Sequence, residues 1–212
     1  MLEGTVQCPI RNKISANKTY LENIEICCYS VHDKMEAHEV VPDVIDVAPD
    51  QKIEVTYPSG VSVDFGNELT PTQVKDEPTV KWNAEENTYY TVTMVDPDAP
   101  SRKEPKIREV LHWLVVNVPG MDITKGDVIA EYRGSGPPLG TGVHRYIFLI
   151  YKQNGKINFD EKKIIKTSRQ GRLSFSIRKF AEKYKLGQPI AGNLYQAQFD
   201  DYVPILQKET TS

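Results

Sequence analysis

Two carboxylates follow directly on a predicted strand, a position from which they can hold a ligand or another side chain. The apolar, β-branched run Thr91–Val95 predicts a buried strand, and Asp96 and Asp98 come next, in a segment that also contains two prolines. Proline fixes its own φ and pushes the preceding residue towards extended geometry. The loop is therefore predicted to be stiff. Alone, it is more typical of a rigid turn with solvated acids than of a site.

Histidine supplies the second chemical signal. Two of the four histidines, His112 and His144, lie beside unusual loops on separate predicted strands. One histidine on an apolar strand is more often a core residue than a ligand, but two of them with apolar neighbours are typical of a binding pocket. Imidazoles, the Tyr146 hydroxyl and the Gly136 N–H can all donate hydrogen bonds to phosphate oxygens. A carboxylate cannot bind an anion, so Asp96 would orient a donor, hold a histidine protonated or meet a cationic part of the ligand.

Three segments together resemble the phosphatidylethanolamine-binding protein family, which includes the Raf kinase inhibitor proteins. They are 96–102, 109–113 (Glu-Val-Leu-His-Trp) and 134–146, which ends in Gly-Val-His-Arg-Tyr. Their order and separation fit, and the resemblance extends from about Ile45 to about Leu206. It implies a mainly β, sandwich-like fold with a few peripheral helices, and a small pocket that accepts an anion.

The resemblance also implies the residues around that pocket and what they do. We expect it to be formed by Asp96, Ala99, Pro100, His112, Gly136, Pro137, His144, Tyr146 and Tyr202. The family's rigid loop further implies a cis peptide at Ala99–Pro100. The predicted function is non-catalytic binding of a phosphate-containing small molecule or a phospholipid headgroup, with regulation of partners such as protein kinases. If both histidines bind as imidazolium ions, binding should weaken above about pH 7.

This chain departs from the family at the pocket rim. Family members often carry an aromatic pair where this chain has Ile107 and Val110, and a lysine is common in the Gly-rich loop where it has Leu139. The departures concern the preference among headgroups rather than the pocket itself.

Two other functions stay open at this point. The family also includes protease inhibitors, which would act through surface loops or the N-terminal arm. A hydrolase is the weaker alternative, because Ser135 does not lie in a Gly-x-Ser-x-Gly elbow. No close His/Asp spacing indicates a metal site, and we expect neither a metal nor a cofactor.

Composition limits the partners and predicts the location. The formal charge of −3 is spread along 212 residues, which gives no basic face for nucleic acid, and no apolar run approaches the ~20 residues that span a bilayer. The first twenty residues contain no apolar leader segment. A cytoplasmic monomer is the expectation. All three cysteines lie in the first 28 residues and are interpreted as ordinary thiols.

The elements that must position these residues are mostly strands. Residues 1–40 are predicted to be an N-terminal arm without regular periodicity, and 41–212 one domain. Within the arm, 33–39 predicts a short helix capped by Asp33. Residues 52–65 predict a hairpin that turns at Pro58-Ser59-Gly60. The almost wholly apolar run 110–118 predicts a central strand, and a helix is predicted to start near Ser174 and end before Gly187.

Overall fold

One seven-stranded sheet organises the fold, with a two-stranded sheet on one face and helices on the other. The computed structural model describes residues 30–210. The strands are β1 (Gln51–Lys52), β2 (Glu54–Thr56), β3 (Asn67–Glu68), β4 (Thr79–Lys81), β5 (Tyr89–Asp96), β6 (Val110–Pro119), β7 (Asp127–Ala130), β8 (His144–Gln153) and β9 (Ala191–Ala197). The helices are α1 (Val31–Ala37), α2 (Ile177–Lys183) and α3 (Val203–Lys208), with a 3-10 turn at Ile123–Lys125.

The strands of the large sheet follow the order β1-β9-β8-β5-β6-β7. Strand β3 also pairs with β9, further along β9 than β1 does. Its long strands are antiparallel, whereas β1 and β3 run parallel to β9. The small sheet is the antiparallel pair β2–β4. The mainly β, sandwich-like fold expected from the sequence is confirmed.

Apolar side chains project from both faces of the large sheet, which explains why its central strands are almost continuously hydrophobic. On one face Met94, Trp113 and Phe148 pack against β2 and β4. On the other face Leu149 and Leu114 pack against α1 and α2. Strand β6 pairs on both sides, with β5 and with β7, so the central strand predicted at 110–118 is confirmed.

A β-bulge at His112 changes the direction of the side chains along β6. Met94 pairs with Trp113, but the next residue of β5, Val95, pairs with Leu111, so His112 is the extra residue. Leu111 and Trp113 therefore lie on opposite faces of the sheet although they are two positions apart. The bulge releases His112 from the alternation and turns it to the end of the sheet.

The described part of the predicted arm packs on the domain. Helix α1 begins after Ser30, whose hydroxyl accepts the Asp33 N–H while the Asp33 carboxylate accepts the Ser30 N–H. The prediction of Asp33 as the N-cap is therefore wrong by three positions: Ser30 is the N-cap, and Asp33 is its reciprocal partner in a capping box. Met35 and Val40 are fully buried against the large sheet. The remainder of the arm, with its three cysteines, lies outside the described residues. The division of the chain at residue 40 therefore stays a prediction.

The predicted hairpin at 52–65 forms only beside its turn. The Tyr57 N–H donates to the Val61 carbonyl and the Val63 N–H to the Val55 carbonyl, and a single bridge joins Thr56 to Ser62. However, the ladder of β2 is made with β4. Residues 61–65 instead pass the edge of the large sheet, where Asn193 accepts the Phe65 N–H and donates to the Val63 carbonyl.

Candidate functional site

A cavity of about 350 Å³ opens at one end of the large sheet, where β5 ends and β6 and β8 begin. Eight of the nine predicted site residues line it: Asp96, Ala99, Pro100, His112, Gly136, Pro137, His144 and Tyr146. The sheet brings them together because β5 is paired with β6 on one side and β8 on the other. Their role in binding stays a prediction.

Tyr202 is the predicted site residue that does not line the cavity. It precedes α3, and the next turn of that helix contributes Leu206 and Gln207 to the lining instead. Residues four apart lie on the same helical face, one turn further along the axis, so Leu206 reaches the pocket that Tyr202 misses. Leu206 packs so closely on Gly136 that a Cβ at position 136 would lie 2.8 Å from its methyl group.

Asp96 and His144 form a buried pair at the floor of the cavity. The Asp96 Oδ2 lies 2.9 Å from the His144 Nδ1, and its Oδ1 accepts the Asp98 N–H at 2.7 Å. The other His144 nitrogen, Nε2, lies 3.0 Å from the Thr141 hydroxyl. Asp96 therefore orients a histidine, which is one of the three roles inferred for it. Both nitrogens of that histidine are already engaged.

His112 differs from His144 in having one free nitrogen. Its Nδ1 lies 2.8 Å from the Arg133 carbonyl oxygen, which can only accept, so Nδ1 carries a proton. Burial lowers the pKa of His112 to about 4, with the Arg172 and Arg133 charges acting in the same direction and the Asp96 charge opposing them. A second proton on this imidazole is therefore unfavourable near neutral pH, contrary to the sequence-based expectation of an imidazolium at this position.

Tyr146 supplies a hydroxyl donor beside His112. Their rings meet edge to face with centroids 5.1 Å apart, and both side chains line the cavity. Burial, followed by the charge of Asp96, raises the pKa of Tyr146 well above its ordinary value. The hydroxyl keeps its proton and can donate it to an acceptor in the cavity.

Three arginines that the sequence analysis missed also line the cavity: Arg133, Arg169 and Arg172. Arg172 is almost fully buried, while Arg169 is exposed at the mouth and its guanidinium makes no hydrogen bond or ion pair with residues 30–210. Among residues 30–210, Asp96 is the only acid in the lining, and it is paired with His144, so the arginines make the cavity attractive to anions. No local pattern marks them, because they follow neither a strand alternation nor a recognised motif.

The rim is apolar where the resemblance led us to expect it. Ile107 and Val110 both line the cavity, joined by Leu173. Leu139 does not, and 76% of its surface is exposed at the tip of the Gly-rich loop. The rim residues that the structure describes thus offer no aromatic face to a cationic headgroup.

Behind the pocket, Asp98 and Arg145 form a second buried pair. The Asp98 carboxylate accepts the Arg145 Nε–H at 2.9 Å and its Nη2–H at 2.6 Å. Asp43 binds the same guanidinium, so Arg145 points away from the cavity towards acids. Ala99–Pro100 is cis, as predicted, and Val41–Pro42 and Arg108–Glu109 are cis as well.

Glu109, next to the rim residue Val110, should make stability depend on pH. Its carboxylate accepts the Ile177 N–H at the start of α2, and burial raises its pKa from 4.5 to about 7. The charges of Arg108 and Arg178 oppose that shift, and Asp43 adds to it. The folded chain then holds this proton more tightly than the unfolded chain, so the free energy of unfolding falls as pH rises from about 4.5 to 7.

We expect Glu109→Gln to abolish this fall in the free energy of unfolding with rising pH. Between pH 5 and 8 the wild type should lose on the order of 1–3 kcal/mol more stability than the variant. Urea denaturation of both proteins at the two pH values measures it. Parallel pH profiles would show that Glu109 ionises normally in the folded chain.

Known proteins resemble this chain over most of its length. The sequence model of a family described as phosphatidylethanolamine-binding protein matches residues 46–196. A putative odorant-binding protein A5 of Drosophila melanogaster is 44% identical over 174 residues, 82% of this chain and 83% of the relative. A 26 kDa secreted antigen of Toxocara canis is 42% identical over 159 residues, 75% of this chain, and the match spans only 61% of the antigen's length.

Solved structures share the fold. The solution structure of CG7054 is 52% identical, with a TM-score of 0.68 over 82% of this chain and 99% of that one. A carboxypeptidase Y inhibitor in complex with its cognate proteinase is 25% identical, with a TM-score of 0.72 over 84% of this chain and 100% of the inhibitor.

These relatives correct the predicted location. One is named as odorant-binding and another as secreted, which points outside the cell, so the cytoplasmic prediction is wrong. It rested only on finding no leader segment, and such an absence does not determine a location. None of the helices in residues 30–210 is long and apolar enough to cross a bilayer. The same residues contain no cluster of three or more His, Cys, Asp or Glu side chains that could hold a metal ion.

Proposed function

Because this chain belongs to the phosphatidylethanolamine-binding protein family, we propose that its cavity is a non-catalytic binding site for phosphate-bearing ligands. The ligand is a phosphorylated small molecule or a phospholipid headgroup, and the site acts outside the cell. The observation that carries the proposal is the charge of the cavity: within the described part of the chain, three arginines line it, and the one acid there is already paired with His144.

Donors for the anion come from the floor and the mouth. The Tyr146 hydroxyl keeps its proton. At the entrance, the Arg169 guanidinium makes no hydrogen bond or ion pair with residues 30–210, so it is available to an anion. Binding without turnover fits the names of the relatives, odorant-binding protein and secreted antigen, neither of which is the name of an enzyme.

We expect the purified chain to bind inorganic phosphate at pH 6.5, and Tyr146→Phe to weaken that binding about 10-fold, the value of one net hydrogen bond to a charged group. Isothermal titration calorimetry measures both. Tyr202→Phe is the matched control, because it removes one tyrosine hydroxyl outside the cavity and should change nothing. Equal losses in the two variants, or no binding by the wild type, would refute the site.

A protein partner is the second candidate function, and one observation favours a protease over a kinase. The structural neighbour at TM-score 0.72 is a carboxypeptidase Y inhibitor, whereas a protein kinase partner rests on the family resemblance alone. An inhibitor of this kind would use surface loops, such as the one that exposes Leu139. Inhibition of carboxypeptidase Y by the wild type, lost on Leu139→Asp and kept on Tyr146→Phe, would support this role.

A further inference from the structure

A second cavity, of about 370 Å³, lies on the face of the large sheet that α1 and α2 cover. This helix-side cavity is bounded by Tyr151 on β8, by Ile45 and Asp46, and by a face of α2 that includes Arg178 and Ala181. We infer that it is a second binding site, for a neutral organic molecule that carries one hydrogen-bond acceptor oxygen, such as a ketone, on an apolar body. The inference does not depend on the proposed phosphate site.

Strand β8 contributes to both cavities, but from opposite faces of the sheet. Tyr146 and Tyr151 lie five positions apart on β8, and an odd spacing along a strand directs two side chains to opposite faces. Tyr146 belongs to the buried cluster beside the small sheet, and Tyr151 to the cluster beside the helices. The two residues are also roughly 16 Å apart along the strand. Because no residue lines both cavities, the helix-side cavity is a separate site.

An unpartnered hydrogen-bond donor lies at the floor of the helix-side cavity. Tyr151 is 1% exposed, yet its hydroxyl makes no hydrogen bond with residues 30–210. A buried hydroxyl without a partner is unfavourable, because it has given up its hydrogen bonds to water. Burial, followed by the charge of Glu109, raises the pKa of Tyr151 well above its ordinary value, so the hydroxyl keeps its proton. The floor therefore calls for an acceptor on the ligand.

The walls beside that hydroxyl are apolar. Ile45 and Ala181 both line the helix-side cavity, and both are buried in the same cluster as Tyr151. An apolar cavity of about 150 Å³ is large enough for benzene, so a cavity of about 370 Å³ has room for a ligand of about ten non-hydrogen atoms. One oxygen of such a ligand meets Tyr151, and the remainder contacts apolar side chains.

The charges at the mouth of the helix-side cavity balance. Within the described part of the chain, two cations, Arg178 and Lys185, and two acids, Asp46 and Glu182, line it. Arg178 is already committed, since its Nε lies 3.0 Å from the Asp46 Oδ1 and its Nη2 donates to the Pro42 carbonyl at 2.7 Å. The mouth therefore does not favour a ligand of either charge.

An ionised group is also disfavoured at the floor. The acids Glu109 and Asp46 both lie near enough for their charges to act on the Tyr151 hydroxyl, and Arg178 only partly opposes them. An anion beside the hydroxyl would meet those two acids. An ammonium group has no lone pair to accept from Tyr151. Either ion would in addition lose its hydration among apolar side chains, so a neutral acceptor fits best.

Three ligands of nearly equal size test the inference. Acetophenone carries a ketone, α-methylstyrene has a CH₂ group in place of that oxygen, and benzoate has a charged oxygen in place of the methyl group. Titrations of the full chain at pH 7, followed by ¹H–¹⁵N NMR, measure each affinity. We expect acetophenone to bind about 5-fold more tightly than α-methylstyrene, the value of one net hydrogen bond between neutral groups, and at least about 10-fold more tightly than benzoate. The amide shifts of Ile45 and Ala181 should change.

The order of the affinities decides between a hydrogen-bonding site and a merely apolar one. Because α-methylstyrene is more apolar than acetophenone, a cavity that offered no hydrogen bond would bind it at least as tightly. That order would overturn the inference, and so would tighter binding of benzoate or no binding of acetophenone. Shift changes confined to Gly136 and His112 would place the ligand in the cavity at the end of the sheet and would equally overturn it.

Tyr151→Phe is the matched variant, because it removes only the hydroxyl. It should abolish the preference for acetophenone over α-methylstyrene, whereas Tyr202→Phe, which removes a hydroxyl outside both cavities, should leave it intact. Since the Tyr151 hydroxyl has no partner among residues 30–210, Tyr151→Phe should not lower the midpoint of urea denaturation. A preserved preference would overturn the assignment to Tyr151. A clearly lower midpoint would show that the hydroxyl has a structural partner, and would overturn it too.

Discussion

Replacing Arg172 by alanine should destabilise the fold by about 4 kcal/mol or more, because the side chain satisfies five main-chain carbonyls in the interior. It is 1% exposed, and its five N–H groups bond to the carbonyls of Ser168, Leu111, His112, Glu131 and Ile165. Alanine removes all five bonds and opens a cavity, although the His112 and Ile165 carbonyls keep a second donor, the Arg133 and Ser168 N–H groups. Burial lowers the pKa of Arg172 to about 10, so it remains a cation at neutral pH.

Urea denaturation at pH 7 measures this effect, and a second pocket arginine provides the control. Arg169→Ala removes an exposed guanidinium and should change the free energy of unfolding by less than about 0.5 kcal/mol. Arg172→Lys keeps the charge but loses the planar fork, so it should recover less than half of the loss. If Arg172→Ala were nearly neutral, water in the cavity would be an adequate substitute for the guanidinium.

The second large effect is expected at Asp98. Asp98→Ala should cost about 3–5 kcal/mol, since it leaves Arg145, 2% exposed, without its main partner. The Asp98 carboxylate also accepts the Arg145 main-chain N–H at 2.9 Å, which ties the loop after β5 to β8. The same guanidinium donates to the carbonyls of His38 and Glu39, so the pair also holds the entry to the domain.

A double variant separates the pair from the packing. Asp98→Ala combined with Arg145→Leu removes both charges and should be more stable than Asp98→Ala alone, because no unpaired ion is then buried. Arg102→Ala breaks the exposed pair with Glu39 and should cost less than about 1 kcal/mol. Urea denaturation measures the free energy of unfolding of each variant. Equal losses for Asp98→Ala and Arg102→Ala would mean that Asp43 alone is a sufficient partner for the Arg145 guanidinium.

Much of the framework could be predicted from local sequence. The continuous apolar run at 110–118 indicated a strand with neighbours on both sides, and β6 is such a strand. Helix α2 was predicted from its 3.6-residue periodicity, although it starts at Ile177, after the cap residue Ser176, rather than near Ser174. The pocket loops were recognisable because their residue types are unusual for packing alone.

Features that depend on distant partners could not be predicted. The bulge at His112 exists only in the register of β6 against β5, and it decides which way that imidazole points. Arg172 looks like an ordinary surface residue in the sequence, because the five carbonyls that surround it come from distant elements and its own loop. Leu206 and Gln207 line the cavity where Tyr202 was expected, because of where α3 begins and how it lies across the pocket.

The central claim is that the cavity binds a phosphate group reversibly at His112 and Tyr146, and a crystal structure with butyl phosphate at pH 6.5 tests it most directly. The account predicts an intact ester in the cavity, with phosphate oxygens about 2.6–3.2 Å from the His112 Nε2 and the Tyr146 hydroxyl, and the butyl chain against Ile107 and Leu173. An empty cavity at saturating butyl phosphate, or density for free phosphate and butanol after cleavage, would contradict it.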